Sequence, residues 1–426
     1  MSQMSQSLNL YRQLANHKLF NKKIHFGLKR IKLALSKLGD PEKKFSNVIQ
    51  IIGSDGKYTL LTSLKFFIEA NSQTAATHIS PSLQDIKERF WMGDRYLSHS
   101  EIRKTIKIIE KLKIPLTVYE VLTLVFIINA AKRNNDFVLM EAGCGWRLDS
   151  NNVISFPLIQ SVVNINKQHL KLLKARNLND VIYEKVAFLN QFTTNIYIGK
   201  QKPKVLKRIK QLLKNNSSRI NYPSSWKLEK IGKNFFYKDK KNKIKLKTKY
   251  VHSTGLLKNL CHAIKIALDL KIDKKIIVKT LPKIRYVGRI DYLDKGKLTK
   301  KLYKNEKILL DGCHSETSAK NLANYLKTLK VPIYGIWSMT KNKDPDRFIK
   351  QFKLIFKKII TINIENESAA LSNKILLKIA KQNHYKVEMA NNFEEALRKI
   401  SSKETKVCVA FGSLYSLGQI LDKNYK

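Results

Sequence analysis

Short β-branched runs that end in Gly, Asp or Ser recur along this chain, and each is followed by a stretch of helical periodicity. That alternation is the pattern of parallel sheets joined by crossover helices, so the expected class is α/β. Asn47–Ile52 reads as a buried strand running into Gly53-Ser54-Asp55-Gly56-Lys57, with a helix through about Glu69. Phe137–Met140, closing on Glu141, then Ser161–Ile165 and Asn195–Ile198 read as further strands, with helices near Thr117–Arg133 and Asn179–Leu189. Lys200–Tyr250 is lysine-rich, carries a turn at Tyr222-Pro223-Ser224-Ser225, and reads as peripheral helix and hairpin. After a helix near Leu256–Leu270 the alternation restarts, with strands expected at Lys307–Leu310, Pro332–Ile336, Lys358–Ile364 and Val407–Phe411. This second unit reads as a smaller doubly wound domain, giving expected domains of 1–283 and 284–426.

With 426 residues the chain can bury more than one core. Lys+Arg 81 against Asp+Glu 33 gives a net charge of +48, yet 43% of residues are hydrophobic, so the chain is folded with a lopsided charge. The excess is spread as Lys beside abundant Asn and Ile, the set that A/T-rich coding favours, and nucleic acid is not the expected partner. Cys144, Cys261, Cys313 and Cys408 lie far apart with no C-x-x-C pair, which argues against disulfide frameworks and zinc fingers. No run approaches the roughly 18 apolar residues of a membrane span, and the first twenty residues lack a basic region followed by an apolar one. The expected setting is the cytoplasm, with no membrane partner.

The strand–loop–helix segment Gly53-Ser54-Asp55-Gly56-Lys57-Tyr58-Thr59 is a candidate phosphate loop. Its glycines let backbone N–H groups approach phosphate oxygens, the helix N-terminus adds positive potential, and the lysine reaches the outer phosphates. The generic G-x-x-x-x-G-K-[ST] pattern fails here, because Ile51 and Tyr58 stand at two of its fixed positions. Phe137-Val138-Leu139-Met140-Glu141 is an apolar strand ending in a carboxylate, an arrangement suited to holding Mg²⁺ beside phosphates. A strand-end carboxylate says little by itself, but beside the loop it points to a nucleotide.

In order along the chain, these pieces resemble the folylpolyglutamate synthase/dihydrofolate synthase family of the Mur ligase superfamily. The family's G-L-x-R and L-G-N-P are matched by Gly27-Leu28-Lys29-Arg30 and Leu38-Gly39-Asp40-Pro41, and its loop G-T-N-G-K-G-[ST] by Gly53 to Thr59. S-P-H-L and E-R-I-x-x-x-G are similar to Ser80-Pro81-Ser82-Leu83 and Glu88-Arg89-Phe90-Trp91-Met92-Gly93. T-Y-F-E is matched by Thr117-Val118-Tyr119-Glu120. The most specific match is E-V-G-L-G-G-R-L-D-A-T-N-V against Glu141 to Val153. Downstream, D-H-x-x-x-L and E-K-A-G resemble Gln168-His169 with Leu173 and Glu184-Lys185-Val186-Ala187. Asn259 falls on the Asn before the linker helix, and Val287-Gly288-Arg289 on P-G-R. Asp311-Gly312-Cys313-His314-Ser315-Glu316 falls on D-x-A-H-N-P, and Gly412-Ser413-Leu414 on the terminal G-S-L.

The resemblance implies a P-loop-type Mur ligase central domain followed by a smaller Rossmann-like C-terminal domain. It also implies a monomeric ATP-dependent ligase that adds L-glutamate to dihydropteroate or to a reduced folate. Ser80 and Glu141 would hold one Mg²⁺ and His169 a second; Lys185 would be carbamylated; Lys57, Lys185, His169 and Glu141 would be the catalytic set. Gly53, Asp55, Gly56, Lys57, Tyr58, Thr59, Asn259, Arg289, Asp311 and His314 would hold ATP, with Arg289 and Asp311 delivered when the second domain closes. Lys23, Ile24 and His25, Thr117, Val118 and Tyr119, and Leu148, Asp149 and Ser150 would line the pterin site. The chain departs from the pattern at His25 (Asp in bifunctional members), Asp55 (Asn), Tyr58 (Gly), Trp146 (Gly), Gln168 (Asp) and Ser315-Glu316 (Asn-Pro). Tyr58 and Trp146 are expected to put bulk beside the triphosphate and into the pterin loop. A Mur-type ligase for another acid, or a non-catalytic relative with a basic surface for nucleic acid, are the alternative readings.

Overall fold

A computed structural model describes residues 10–11, 13–21, 23, 25–341 and 343–425. By internal packing the chain divides into two units, one of Met1–Lys247 with Lys258–Leu281 and one of Thr248–Leu257 with Pro282–Lys426.

The first unit is built on β1 (Val48–Ile52), β2 (Ala75–His78), β3 (Phe90–Met92), β4 (Phe137–Glu141), β5 (Ile159–Val162), β6 (Asn195–Ile198) and β7 (Arg219–Asn221), in the spatial order β3-β2-β4-β1-β5-β6-β7. All neighbours pair in parallel except β3, which runs antiparallel to β2 at one edge. Every residue of β1 and β4 is buried, as a central parallel strand requires. Helix Val118–Ala130 is apolar around nearly its whole circumference, with eleven of its residues buried, and it packs over β2 and β3. Register sets the site: Ile51 lies opposite Glu141, so the end of β4 and the start of the loop after β1 fall side by side.

The third expected strand is shifted. The sheet takes Ile159–Val162 rather than Ser161–Ile165, because Val163–Ile165 bends away to cover the loop after β1, with Ser54 N–H donating to the Asn164 carbonyl at 2.8 Å. β2 lacks a β-branched run (Ala75-Ala76-Thr77-His78), which hid it from periodicity. The lysine-rich stretch forms helix Pro203–Leu212, the edge strand β7, and a small antiparallel sheet of β8 (Trp226–Ile231), β9 (Asn234–Asp239) and β10 (Lys243–Lys245). Three of its lysines, Lys227, Lys238 and Lys243, share the carboxylate of Glu229 at 3.2–3.8 Å.

The second unit has β11 (Asp291–Tyr292), β12 (Glu306–Asp311), β13 (Ile333–Trp337), β14 (Lys358–Thr361), β15 (Val387–Met389) and β16 (Lys406–Phe411), ordered β11-β12-β16-β13-β14-β15 with only β11 antiparallel. An aromatic cluster of Trp337, Phe348, Phe352 and Phe411 fills its core. Among the described residues, no helix is long and apolar enough to cross a membrane.

Candidate active site

Between β1 and helix Lys57–Ala70 the loop turns through Gly53 and Gly56, with φ of 139° and 101°. Both values lie where L side chains are strained, and a Cβ at Gly56 would collide with the Asn259 amide. Asn259 Nδ2 donates to Thr59 Oγ1 at 3.0 Å, and Thr59 Oγ1 donates to the Gly56 carbonyl at 2.9 Å, which braces the first helical turn. The Lys57 ammonium folds over its own loop, 3.3 Å from the Ser54 carbonyl and 3.9 Å from Glu141 Oε1. Its side chain is only 12% exposed, drawn into the site by carbonyls and a carboxylate. Tyr58 is half-buried in the first turn.

Glu141 ends β4, buried, with Oε2 accepting from the Ser80 backbone N–H at 3.2 Å. Ser80 and Glu141 are therefore neighbours at the carboxyl ends of the strands. Behind them runs a largely buried polar chain that joins Tyr119 to three residues with no role expected from the sequence, Asn151, His78 and Gln50. Asn151 Nδ2 donates to the Glu141 carbonyl and to the Tyr119 hydroxyl, both at 3.0 Å. Asn151 Oδ1 meets His78 Nδ1 at 3.2 Å, and the Asn151 carbonyl accepts from Gln50 Nε2 at 2.7 Å. Burial pushes His78 down to about 3 and the Tyr119 hydroxyl well up, so both stay neutral. The one available signal was polarity at mid-strand positions such as Gln50 and His78.

Lys185, on helix Leu178–Val186, is buried, and its ammonium donates to the Cys144 carbonyl at 2.5 Å and the Gly53 carbonyl at 3.0 Å. Burial, with the Lys57 charge second, lowers it to about 8. Asp149, also buried, accepts from the N–H groups of Gly143 at 2.8 Å and Asn151 at 3.0 Å; burial outweighs these bonds and raises it to about 6. Trp146 does not obstruct the loop as expected. It is fully buried, packs into the core under β5 and β6, and donates from Nε1 to the Phe188 carbonyl at 3.2 Å. His169 follows Gln168 with a left-handed φ of 57°, at the start of the short helix Leu170–Leu173.

The pterin-site candidates meet around helix Val118–Ala130. Asn21 pairs with this region opposite Thr117, through its N–H to Leu116 and its carbonyl from Val118, and its Oδ1 accepts from the Lys23 N–H at 2.8 Å; Ile24 lies outside the described residues. Thr117 caps the helix in a capping box with Glu120, and Arg30 bridges Glu120, at 3.2 Å, to the His25 carbonyl, at 2.6 Å. His25 is exposed, and Val118 and Leu148 are half-buried. Ser150 Oγ meets Thr123 Oγ1 at 2.7 Å.

In the second unit the loops after β12 and β16 and the turn Val287–Ile290 converge. Asp311 is buried and accepts from the N–H groups of Cys313 at 2.8 Å and Ile290 at 2.9 Å, while burial raises its carboxyl against the pull of Arg289. His314 Nδ1 lies 3.0 Å from the Gly312 carbonyl. Ser315 caps helix Glu316–Leu326, which accounts for a serine in place of the motif's Asn.

Comparison with known proteins fits this geometry. Residues 294–423 match the family model described as dihydrofolate synthetase, C-terminal domain. The dihydrofolate synthase/folylpolyglutamate synthase of Buchnera aphidicola subsp. Schizaphis graminum is 22% identical over 408 residues, covering 94% of each chain. The E. coli FolC structure in complex with DHPP and ADP superposes with a TM-score of 0.83 at 18% identity, covering 99% of this chain and 98% of that one. A bifunctional folylpolyglutamate synthase/dihydrofolate synthase with Mn, AMPPNP and L-glutamate bound gives a TM-score of 0.81 at 17% identity, with 99% and 98% covered. A parallel sheet carrying a glycine loop and a strand-end carboxylate, followed by a second α/β unit, is the two-domain Mur ligase-like fold. Within it, the chain is similar over nearly its whole length to the curated dihydrofolate synthase/folylpolyglutamate synthases, and its C-terminal part matches the model of that family's C-terminal domain.

Proposed function

We propose that the chain is an ATP-dependent ligase that joins L-glutamate to dihydropteroate, to folylpolyglutamate, or to both. The observation that carries this is the Lys57 ammonium held 3.9 Å from the Glu141 carboxylate at the mouth of a glycine loop. One acid oxygen of the pteroate attacks the γ-phosphorus of ATP, the bond to the β-phosphate oxygen breaks, and ADP leaves. The glutamate amine then attacks the acyl carbon, loses a proton and expels phosphate. Loop N–H groups and Lys57 stabilise the charge on the transferred phosphoryl group, and no protein nucleophile is needed.

The oxygen donors of Glu141 and Ser80 suit a hard divalent cation, since Mg²⁺ is commonly held by one or two carboxylates together with substrate phosphates. Among the described residues no group of three His, Cys, Asp or Glu could hold a metal alone, which fits a site completed by phosphate. When bound, Mg²⁺ neutralises charge on the phosphoryl oxygens. His169 is proposed for a second ion, and Arg289, Asp311 and His314 for nucleotide contacts from the second unit. Buried Asp149 and half-buried Tyr119, which both lie beside Gly143, are proposed to face the pterin with Thr117, Val118, Leu148, Ser150, Lys23 and His25. Carbamylation of Lys185 is supported by its depressed basicity, because only the neutral amine adds CO₂. Four free cysteines fit a reducing compartment, and the proposed setting is the cytoplasm, with the chain acting as a monomer.

The test is ADP release with glutamate plus dihydropteroate, tetrahydrofolate or neither. Release that depends on either acid is expected. Equal release in all three, or none, would overturn the assignment.

A further inference from the structure

Asp55 is the only carboxylate in the loop Gly53–Thr59. Its Oδ2 accepts from Asn166 Nδ2 at 2.5 Å and from Gln168 Nε2 at 3.0 Å. The same two segments are joined by Ser54 N–H to the Asn164 carbonyl at 2.8 Å and by Asn166 N–H to Ser54 Oγ at 3.1 Å. His169 follows immediately. The motifs matched above carry an amide at the loop position and a carboxylate before the histidine. This chain carries a carboxylate at the first and an amide at the second, and the two side chains touch. One bond between an amide and a carboxylate survives that exchange with its polarity reversed. Either change alone would set two amides or two carboxylates face to face.

We propose that Asp55 and Gln168 are reciprocally matched positioning residues that tether the phosphate loop to the segment presenting His169. The exchange moves one negative charge from the histidine segment into the loop itself. The nucleotide readout below rests on the proposed function; the tether does not.

Two isosteric substitutions test it. Asp55→Asn, Gln168→Glu and the double variant are compared with the whole wild-type protein for Kd of AMPPNP with Mg²⁺, for KM and kcat, and for thermal midpoint. Gln168→Glu opposes two carboxylates and is expected to weaken AMPPNP about 10-fold and lower the midpoint. Asp55→Asn sets two amides face to face, one of which can rotate to offer its oxygen, and takes a negative charge out of the loop; it is expected to tighten AMPPNP about 3-fold and to lower the midpoint less than Gln168→Glu does. The double variant restores an amide–carboxylate pair, with the charge moved out of the loop, and is expected to bind AMPPNP at least as tightly as wild type. The rescue is expected in KM for ATP more than in kcat. A double variant as impaired as Gln168→Glu, or Gln168→Glu indistinguishable from wild type, would overturn the pairing. If Gln168→Glu yields no folded protein, a folded double variant supports the tether and an unfolded one overturns it. Failure of the wild type to bind AMPPNP would count against the nucleotide reading, while the four midpoints still judge the tether.

Discussion

The Gly53 carbonyl lies within reach of two ammonium groups, Lys57 at 3.5 Å and Lys185 at 3.0 Å, and the two lysines answer to different chemistry. Lys57 stands at the mouth of the loop beside Glu141, where the proposed function assigns its charge to phosphate. Lys57→Ala is expected to lower kcat roughly 100-fold, the scale for losing one preorganised donor, with an unchanged thermal midpoint; an unaltered kcat would remove the loop from the reaction. Lys185 is buried, and its folded value of about 8 lies below the ordinary 10.5. A depressed lysine costs stability wherever it is charged in both states, and that cost fades as pH rises from about 8 to 10.5. Prepared free of CO₂, so that the amine is uncarbamylated, wild type should therefore gain stability over that interval relative to Lys185→Met, by about 1–3 kcal/mol, read from denaturant unfolding at several pH values. Parallel curves for the two proteins would mean that the lysine is not desolvated. In the same variant series, Lys185→Ala should recover part of its turnover when a small carboxylate such as acetate is added, as expected if the working group is an anionic carbamate.

Helix Val118–Ala130 gathers its N-terminal contacts on one carboxylate. Glu120 Oε2 accepts from the Thr117 N–H at 2.7 Å and hydroxyl at 2.8 Å, while Arg30 reaches it from the N-terminal segment that carries His25. Glu120→Ala removes the reciprocal half of the capping box and the carboxylate partner of Arg30, which keeps only its bond to the His25 carbonyl. The expected loss is about 1–3 kcal/mol, with KM for the pteroate acid rising several-fold more than KM for ATP. Equal rises in both would separate this helix from the acid site. The ends of such elements were readable in the sequence because they are local: Gly53 to Thr59 sits between an apolar run and a helical pattern, and Thr117 with Glu120 has capping-box spacing. Long-range geometry was less readable. Position in a motif cannot tell whether Trp146 turns toward the loop or the core, and it turns inward because the space under β5 and β6 accepts an indole and Phe188 supplies an acceptor. The shift of β5 has a similar cause, since Val163–Ile165 is apolar enough for a strand but is claimed by the loop it covers.

At the scale of the whole molecule, two of the buried imidazoles, His78 and His262, work against the fold in acid. His78 and His262 are both held down to about 3 by burial, His78 between aromatic rings and Asn151, His262 against Trp226 and Ser161. Below about pH 6.5 the unfolded chain takes up protons that the folded chain refuses, so each histidine withdraws about 1.4 kcal/mol of stability per pH unit between roughly 6.5 and 3. His78→Gln, which keeps a donor for Asn151, should shallow the acid limb of the stability profile by one proton; a limb of unchanged slope would mean that His78 is protonated in the fold. The chain path carries a further consequence. The second unit takes Thr248–Leu257 from before the final segment of the first. There Gly255 packs so closely against Asn321 that a Cβ would displace its amide, and His252 stacks on Tyr325. During synthesis that stretch leaves the ribosome well before its sheet exists and must wait for residues 282–426. A gene cut at the end of the first unit therefore severs the second from part of its own packing, and 248–426, not 282–426, is the fragment that holds this unit's full complement of side chains.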